Sequence, residues 1–311
     1  MPRTAAQVLV DQLRIQGVQH VFCVPGESYL AVLDALYDSG IAVTTCRNEG
    51  GAAMMAEAYG KATGRPGICF VTRGPGATNG SGGVHIAQQD STPMILFVGQ
   101  VETHNRGRDA FQEMDYRAFF GGLAKWVAEV NEPDRMAEYV SRAFATAMAG
   151  RPGPVVLSLP HDVLPQPSSC ADGVRAEAVE TAPGPQQMAA LEELLAKSER
   201  PMLILGGSRW SAEALAAMAR FAQRFGIPVA TSFRRAHHFD PLHPNYAGDL
   251  GLGVNPKLLA RVKAADLVIA AGTRLSELTA QHYSLFDIPV PQMTFVHAYP
   301  GAEELGRVYQ P

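Results

Sequence analysis

The sequence predicts an α/β protein built from two doubly wound parallel-sheet domains. Short, uninterrupted apolar runs alternate with helical segments through the first half, and the alternation begins again after a stretch rich in Pro, Ser and Ala. Strands that are apolar on both faces are typical of parallel sheets covered by helices on both sides. The 311 residues are enough for two such domains. We expect one domain over residues 1–165, a linker over 166–185 and a second domain over 186–311.

Local signals define the elements of the first domain. Thr4 and Gln7 form a capping-box pattern, which predicts a helix that Gly17 ends. The other predicted helices run from Ser28 to Gly40, after Glu49, in a short segment after a glycine-rich turn, and after Asn131 with Pro133 in the first turn. The predicted strands are His20–Val24, Ile41–Cys46, Gly67–Thr72, Pro93–Val98, Ala124–Val130 and Pro152–Pro160.

Local signals of the same kinds define the elements of the second domain. Ser211 is expected to begin a helix that Gly226 ends, and the segment 243–253 is expected to be a loop. The other predicted elements are helices near 186–197 and 256–263 and strands at 201–207, 227–232, 265–272 and 293–298.

Composition excludes several classes of protein. The net charge is −4 and no run of Lys or Arg appears, so we expect no nucleic-acid partner. No secretory leader and no apolar run of about 18 residues is present, so we expect no membrane segment and a cytoplasmic location. The four cysteines lack CxxC spacing, which indicates free thiols, buried where they lie in apolar runs.

Glu49 stands between a predicted strand and a helix rich in small residues. A carboxylate at a helix start can simply complement the helix dipole. The small residues that follow it instead leave room at the carboxyl edge of a strand, where open α/β sheets bind ligands. A buried carboxylate there could hold or share a proton near neutral pH. Both interpretations stay open.

Two other segments are candidates for binding. The turn at 73–80 follows a strand and opens a helix, where backbone N–H groups can receive an anionic ligand. As a dinucleotide loop it is imperfect, since Asn79 stands where the third glycine would follow Gly74 and Gly76, and a tight packing turn is the alternative. The polar loop at 99–115 is a functional loop or an ordinary surface connection.

Taken in order, a set of segments resembles the thiamine-diphosphate-dependent decarboxylase and acetolactate-synthase-like family over essentially the whole chain. They are VFCVPGES, RNEGGAAMMAEAYGKATGRPG, VTRGPGATNG, QDSTPMILFVGQ, DAFQE, RPGPVVLSLP, GGSRW, HPNYAGDLGLG, ADLVIAAGTRL and VHAYPGAEELGRVYQP.

The resemblance implies that residues 1–165 bind the pyrimidine half of thiamine diphosphate and that 186–311 are the family's middle domain. Glu49 falls on the catalytic glutamate, which hydrogen-bonds the aminopyrimidine ring so that a 2-keto acid can be decarboxylated and joined to an acceptor. The small residues after it would then give room at a subunit interface. The other implied cofactor residues are Pro25, Gly26, Glu27, Thr72, Gly74, Gly76, Asn79 and Gln112.

Some positions depart from the family pattern. Asn48 stands where many members have histidine, which argues against a proton relay there. Segments that hold FAD in acetolactate synthases are matched. However, VHAYPGAEELG lacks the acidic pair that commonly precedes its proline, and GTRLSELT lacks the usual Phe and Asp/Arg after the arginine. Whether FAD binds therefore stays open. The implied FAD or nucleotide residues are Gly206, Gly207, Thr231, Gly272, Thr273 and Arg274.

The GDG segment that holds the metal and diphosphate in this family has no counterpart here, so no metal ligand is predicted and Mg²⁺ is expected only through an absent domain. The expected assembly is a homodimer or tetramer, or a pairing with a separate diphosphate-binding chain. The alternative is a non-catalytic nucleotide-binding or assembly protein that keeps the fold. The sequence does not identify the keto acid.

Overall fold

The computed structural model describes residues 2–311, which form two compact units, the first reaching Val179 and the second spanning Glu180–Pro311. The first unit contains a six-stranded sheet in the order β2-β1-β3-β4-β6-β5, and every neighbouring pair is parallel. Its strands are β1 His20–Cys23, β2 Ala42–Thr45, β3 Gly67–Val71, β4 Met94–Gln100, β5 Trp126–Glu129 and β6 Pro154–Pro160.

Helices cover both faces of this sheet. They are α1 Ala5–Ile15, α2 Leu30–Tyr37, α3 Glu49–Thr63, α4 Gly74–Asp90, α5 Tyr116–Phe120 and α6 Met136–Met148. Alternate residues of each central strand enter different cores: Ile68 and Phe70 pack with α1, α2 and α6, whereas Cys69 and Val71 pack with α3, α4 and α5. Because helices cover both faces, β3, β4 and β6 are buried along their whole length and are mostly apolar.

The second unit contains a five-stranded parallel sheet in the order β11-β10-β7-β8-β9. Helix α9 packs on one face, and helices α7 and α8 pack on the other. The predicted fold class is therefore confirmed for both units. The elements are α7 Pro185–Lys197, β7 Pro201–Leu205, α8 Ala212–Phe225, β8 Val229–Ser232, β9 Tyr246–Leu250, α9 Pro256–Lys263, β10 Leu267–Ala271 and β11 Thr294–Ala298.

Several predicted elements differ from the observed ones. The glycine-rich turn at 73–80 is largely helical, because α4 begins at Gly74 and runs for 17 residues. Strand β9 lies inside the predicted loop at 243–253, where Gly248 and Asp249, two residues that are uncommon in strands, conceal the strand pattern. Asn131 caps no helix: Glu132 precedes a short 3₁₀ turn that leads into α6. Ser28 lies in another 3₁₀ turn, and α2 begins at Leu30.

The cysteines are all free thiols, as predicted, but burial differs among them. Cys23 and Cys69 are buried, and burial raises the pKa of both thiols. Cys46 and Cys170 are only half-buried. For Cys46 the predicted burial is wrong, because β2 ends at Thr45 and is itself largely exposed.

Much of the predicted linker is attached to the first unit. We call residues 165–179 the strap; it has no regular helix or strand and lies against α1. The buried side chain of Gln16 donates to the carbonyl of Val174 at 2.9 Å and accepts from the amide of Ala176 at 2.8 Å. Arg3 adds an ion pair of 2.7 Å with Asp172. The strap is thus held by groups just before and just after α1.

Replacing Gln16 with Ala should destabilise the first unit by about 1–3 kcal/mol, because two backbone groups of the strap lose buried partners. Urea unfolding measures the loss, and faster proteolysis within 170–180 should accompany it. Gln19→Ala is the matched control, since Gln19 is exposed and should change stability by no more than about 0.5 kcal/mol. Equal effects of the two substitutions would contradict the strap's role.

Candidate functional site

The first sheet has a topological switch point between β1 and β3, because the chain leaves these neighbouring strands toward opposite sides. Their carboxyl ends lie side by side, and there Gly26 meets Thr72. A Cβ built on Gly26 would lie 2.6 Å from Thr72 Cβ, and one on Gly76 would lie 3.0 Å from Thr72 Cγ2. Glycine at both positions therefore lets the backbone approach the side chain of Thr72 at the edge where such sheets bind ligands.

Glu49 lies at this edge, as the first residue of α3. Its Oε2 accepts a 3.0 Å hydrogen bond from Asn79 Nδ2 on α4, and its Oε1 points toward Gly76, 3.7 Å from where a Cβ would stand. Within residues 2–311, Oε1 accepts no hydrogen bond. The carboxylate is half-buried rather than buried as one interpretation required, because only one side of it is covered by this chain. One oxygen is fixed and the other is open to a donor.

The first three alanines after Glu49 pack inside the unit, whereas Gly51 is exposed. Ala52, Ala53 and Ala56 are buried, and a Cβ on Gly83 of α4 would lie 2.5 Å from Ala53 Cβ. This contact brings α3 and α4 close enough for Asn79 to reach Glu49. Asn48 caps α3 by accepting from the amide of Gly51 at 3.3 Å.

The polar loop at 99–115 reaches the same edge through its backbone. Gly74 N–H donates to the carbonyl of Gln112 at 3.1 Å, and Gln112 has a positive φ of 65°. Glu113 organises the loop by accepting from the amides of Gly107 at 2.7 Å and Ala110 at 3.1 Å. These hydrogen bonds hold the pKa of Glu113 below its ordinary value, so the carboxylate stays ionised at neutral pH.

Sequence reasoning missed three residues of this site. Ser28 is buried and its hydroxyl lies 2.9 Å from that of Thr72. Tyr29 donates to the carbonyl of Val24, and burial raises the pKa of its phenol, so it remains a donor that fixes the turn after β1. Arg73 pairs with Glu27 at 3.0 Å. Ser28 and Arg73 lie within the segments that resemble the family and Tyr29 directly follows one, but nothing in the spacing of the three marks them.

The structure thus brings together most of the predicted cofactor residues of the first unit. Gly26, Thr72 and Gly76 form the closely packed edge. Glu49, which is bonded to Asn79, lies beside Gly76, and the neighbouring Gly74 is bonded to Gln112. Pro25 is exposed in the turn after β1, and Glu27 is exposed apart from its contact with Arg73.

The second sheet has its own switch point, between β7 and β10. Gly206 and Gly207 follow β7, Gly272 follows β10, and their backbones touch: a Cβ on Gly207 would lie 1.9 Å from the carbonyl oxygen of Gly272. The indole N–H of Trp210 donates to the carbonyl of Gly206 at 2.7 Å. The predicted nucleotide residues therefore do converge at this edge, in close contact with one another.

The remaining predicted nucleotide residues are occupied by neighbours from this unit. Thr231 is fully buried and its hydroxyl donates to Asp249 at 3.1 Å. The carbonyl of Thr273 accepts from His297 at 2.8 Å. Arg274 pairs with the buried Glu304 at 3.2 Å.

Among residues 2–311, no group of three or more His, Cys, Asp or Glu side chains is placed to hold a metal ion. No helix of that range is long and apolar enough to cross a membrane.

The contact between Gly76 and Thr72 should appear as a coupling energy. Gly76→Ala improves helix propensity by about 1 kcal/mol but presses a methyl group on Thr72 Cγ2. Thr72→Ser removes Cγ2 and keeps the hydroxyl bonded to Ser28. In a double-mutant cycle read by urea unfolding, we expect Gly76→Ala to be about 1 kcal/mol more favourable in the Thr72→Ser background. Strict additivity would show that the contact is unimportant.

His238 should make the second unit less stable in acid. Its Nε2–H donates to the carbonyl of Gly207 at 2.9 Å, its Nδ1 is buried without a partner among the described residues, and burial lowers its pKa to about 4. A lowered folded pKa means that the unfolded chain binds the proton first. The contribution is therefore complete above the ordinary pKa of about 6.5 and is lost as the pH falls toward 4.

The expected loss over that range is at most about 3 kcal/mol, and His238→Gln should remove it. Urea unfolding followed by Trp210 fluorescence in a Trp126→Phe background, which leaves one of the two tryptophans, isolates the second unit. The exposed His282→Gln serves as control and should keep the wild-type pH dependence within about 0.5 kcal/mol. If His238→Gln also keeps it, the buried neutral imidazole is not the cause.

Comparison with known proteins agrees with this geometry. The family description "Thiamine pyrophosphate enzyme, N-terminal TPP binding domain" matches residues 3–119, and "Thiamine pyrophosphate enzyme, central domain" matches residues 188–311. The acetolactate synthase isozyme 2 large subunit of Escherichia coli is 32% identical over 98% of this chain and 55% of its own length.

Two other relatives give the same result. An acetolactate synthase of Arthrospira platensis is 36% identical over 89% of this chain and 50% of its own length, and a probable acetolactate synthase large subunit of Methanocaldococcus jannaschii is 32% identical over 97% and 52%. The chain spans about half the length of these curated relatives. The two matched family descriptions and the relatives together show that this chain belongs to the thiamine pyrophosphate enzyme family.

Proposed function

We propose that this chain takes part in thiamine-diphosphate-dependent decarboxylation and carboligation of a 2-keto acid, in the manner of an acetolactate synthase. In this proposal the first unit supplies the catalytic glutamate, Glu49, and receives the pyrimidine half of the cofactor. The observation that carries the proposal is the carboxylate of Glu49 at the β1/β3 edge, with Oε2 held by Asn79 and Oε1 open.

The residues around Glu49 suit an aminopyrimidine ring. Glycines at positions 26 and 76 leave room for a flat ring to approach the backbone, and side chains there would collide with Thr72. The hydroxyl pair of Ser28 and Thr72 and the neutral phenol of Tyr29 hold this edge rigid. A preorganised edge keeps the open carboxyl oxygen in position for a ring nitrogen.

Thiamine diphosphate would supply the electron sink that makes loss of CO₂ from a 2-keto acid feasible. Glu49 would hold or transfer a proton at Oε1, where a ring N–H can donate. Asn79 would keep the carboxyl group in the orientation that this transfer needs, because its amide fixes the other oxygen. Gln112 and its loop, held by Glu113, would border the reacting side of the site.

The proposal also includes the diphosphate- and Mg²⁺-binding part of the site and the assembly. We place the diphosphate-binding part and its Mg²⁺ outside residues 1–311, on a further region or a separate chain. This placement is supported by the two matched descriptions, which cover an N-terminal and a central domain, and by the relatives, which are about twice as long as this chain. A homodimer or tetramer in the cytoplasm, acting on a small 2-keto acid, completes it.

Glu49→Gln tests this assignment. With the chain complemented by the diphosphate-binding region of an acetolactate synthase, thiamine diphosphate and Mg²⁺, CO₂ release from pyruvate and related 2-keto acids is measured. We expect the variant to lose about 10²–10⁴-fold in kcat, because glutamine cannot exchange the proton. A variant as active as the wild type would overturn the mechanism.

Glu213→Gln is the matched control. Glu213 also stands in the first turn of a helix, α8, so both substitutions remove a helix-start charge. We expect both variants to lose similar stability and only Glu49→Gln to lose activity. Similar loss of activity in both would return Glu49 to the role of an ordinary helix-start acid.

A further inference from the structure

The switch-point crevice of the second unit lies where doubly wound sheets receive dinucleotides, between the ends of β7 and β10. We propose that this chain fills the crevice with its own side chains and binds no FAD or adenine nucleotide there. The inference is independent of the chemistry proposed for Glu49, because it rests on contacts of the second unit alone.

The floor of the crevice is closed by backbone. The amide of Gly206 donates to the carbonyl of Ala271 at 3.0 Å, and a Cβ on Gly272 would lie 2.5 Å from the carbonyl oxygen of Gly206. Gly207 approaches Gly272 still more closely. In a dinucleotide loop, glycines make room for a pyrophosphate. Here the same kind of residue lets two strand ends touch each other.

Trp210 covers these glycines. A Cβ on Gly272 would lie 3.0 Å from both Cζ2 and Nε1 of the indole, so the ring rests directly on that residue. Its Nε1–H donates to the carbonyl of Gly206 at 2.7 Å, which orients the ring. A planar aromatic group thus already occupies the surface on which a planar ligand would rest.

Two further side chains reach the carbonyl of Gly207. The guanidinium of the buried Arg235 donates to it and, at 3.3 Å, to the hydroxyl of Ser208. His238 donates to the same carbonyl at 2.9 Å from a ring that burial keeps neutral at physiological pH. The strand ends are therefore satisfied by protein groups rather than left for a ligand.

Two of the predicted nucleotide residues, Arg274 and Thr231, are engaged with carboxylates. Arg274 pairs with Glu304, which is buried and also pairs with Arg307 at 3.3 Å. Thr231 donates to Asp249, whose pKa burial raises. A diphosphate bound by Arg274 would have to displace the buried Glu304, so the electrostatics of this end of the crevice disfavour it.

The glycine segments of this unit then have a structural meaning. They allow β7 and β10 to meet under Trp210, and the unit acts as a sealed body rather than as a flavin carrier. FAD, which the sequence left open, does not fit the residues present.

Equilibrium dialysis of the full chain against FAD and, separately, ADP tests the proposal. We expect less than a tenth of an equivalent bound at about 100 μM ligand. If ligand does bind, Trp210 emission in a Trp126→Phe background shows where, since these are the two tryptophans of the chain. Binding near one equivalent that changes Trp210 emission overturns the proposal, whereas binding that leaves it unchanged lies elsewhere and agrees with a closed crevice.

Trp210→Ala provides the complementary test, after circular dichroism has established that the variant is folded. Removing the indole should uncover Gly272 and raise FAD or ADP affinity at least about tenfold over the wild type. A folded Trp210→Ala variant that gains no affinity would show that the indole is not what closes the crevice. Neither measurement depends on catalytic activity, so their outcome is separate from that of the Glu49 experiment.

Discussion

The approach of neighbouring parallel strands at a switch point is the constraint on which both units depend. Where the chain leaves two adjacent strands toward opposite sides, their carboxyl ends are exposed together, and their carbonyl and amide groups need partners. In the first unit Gly26 meets Thr72 there, and a carboxylate oxygen beside them stays open. In the second unit Gly207 meets Gly272 under Trp210. One topology has thus given one accessible edge and one sealed edge.

The difference between the edges comes from the segments that follow the strands. After β3, helix α4 begins at once, so its small residues pack on α3 and its Asn79 reaches Glu49. After β7, the chain makes a loop before α8, which allows Trp210 to turn back over the glycines. A helix that begins immediately leaves backbone and small residues at the edge, whereas a loop can place a large side chain over it.

Local patterns in the sequence were enough to predict elements whose signals are local. The capping box of Thr4 and Gln7 and the serine cap at Ser211 are both observed, and α9 has the predicted bounds because Asn255 caps it ahead of Pro256. The glycines at 73–80 predicted a turn, but α4 already begins at Gly74, because this helix depends on packing against α3 rather than on helix propensity. Family resemblance, rather than spacing, brought Gln112 into the predicted site.

Long-range contacts were beyond the sequence. Arg235 and His238 lie outside every segment that resembles the family, and nothing in the local sequence indicates that both donate to the carbonyl of Gly207. Gln16 reads as an ordinary polar helix position, although it binds strap residues 158 and 160 positions away. During synthesis, Gln16 therefore cannot form these hydrogen bonds until the strap has left the ribosome. The first unit completes its native contacts only after its entire sheet has been translated. In a ribosome-bound intermediate that ends at β6, the strap-binding side of α1, the first helix to be synthesised, would therefore remain exposed.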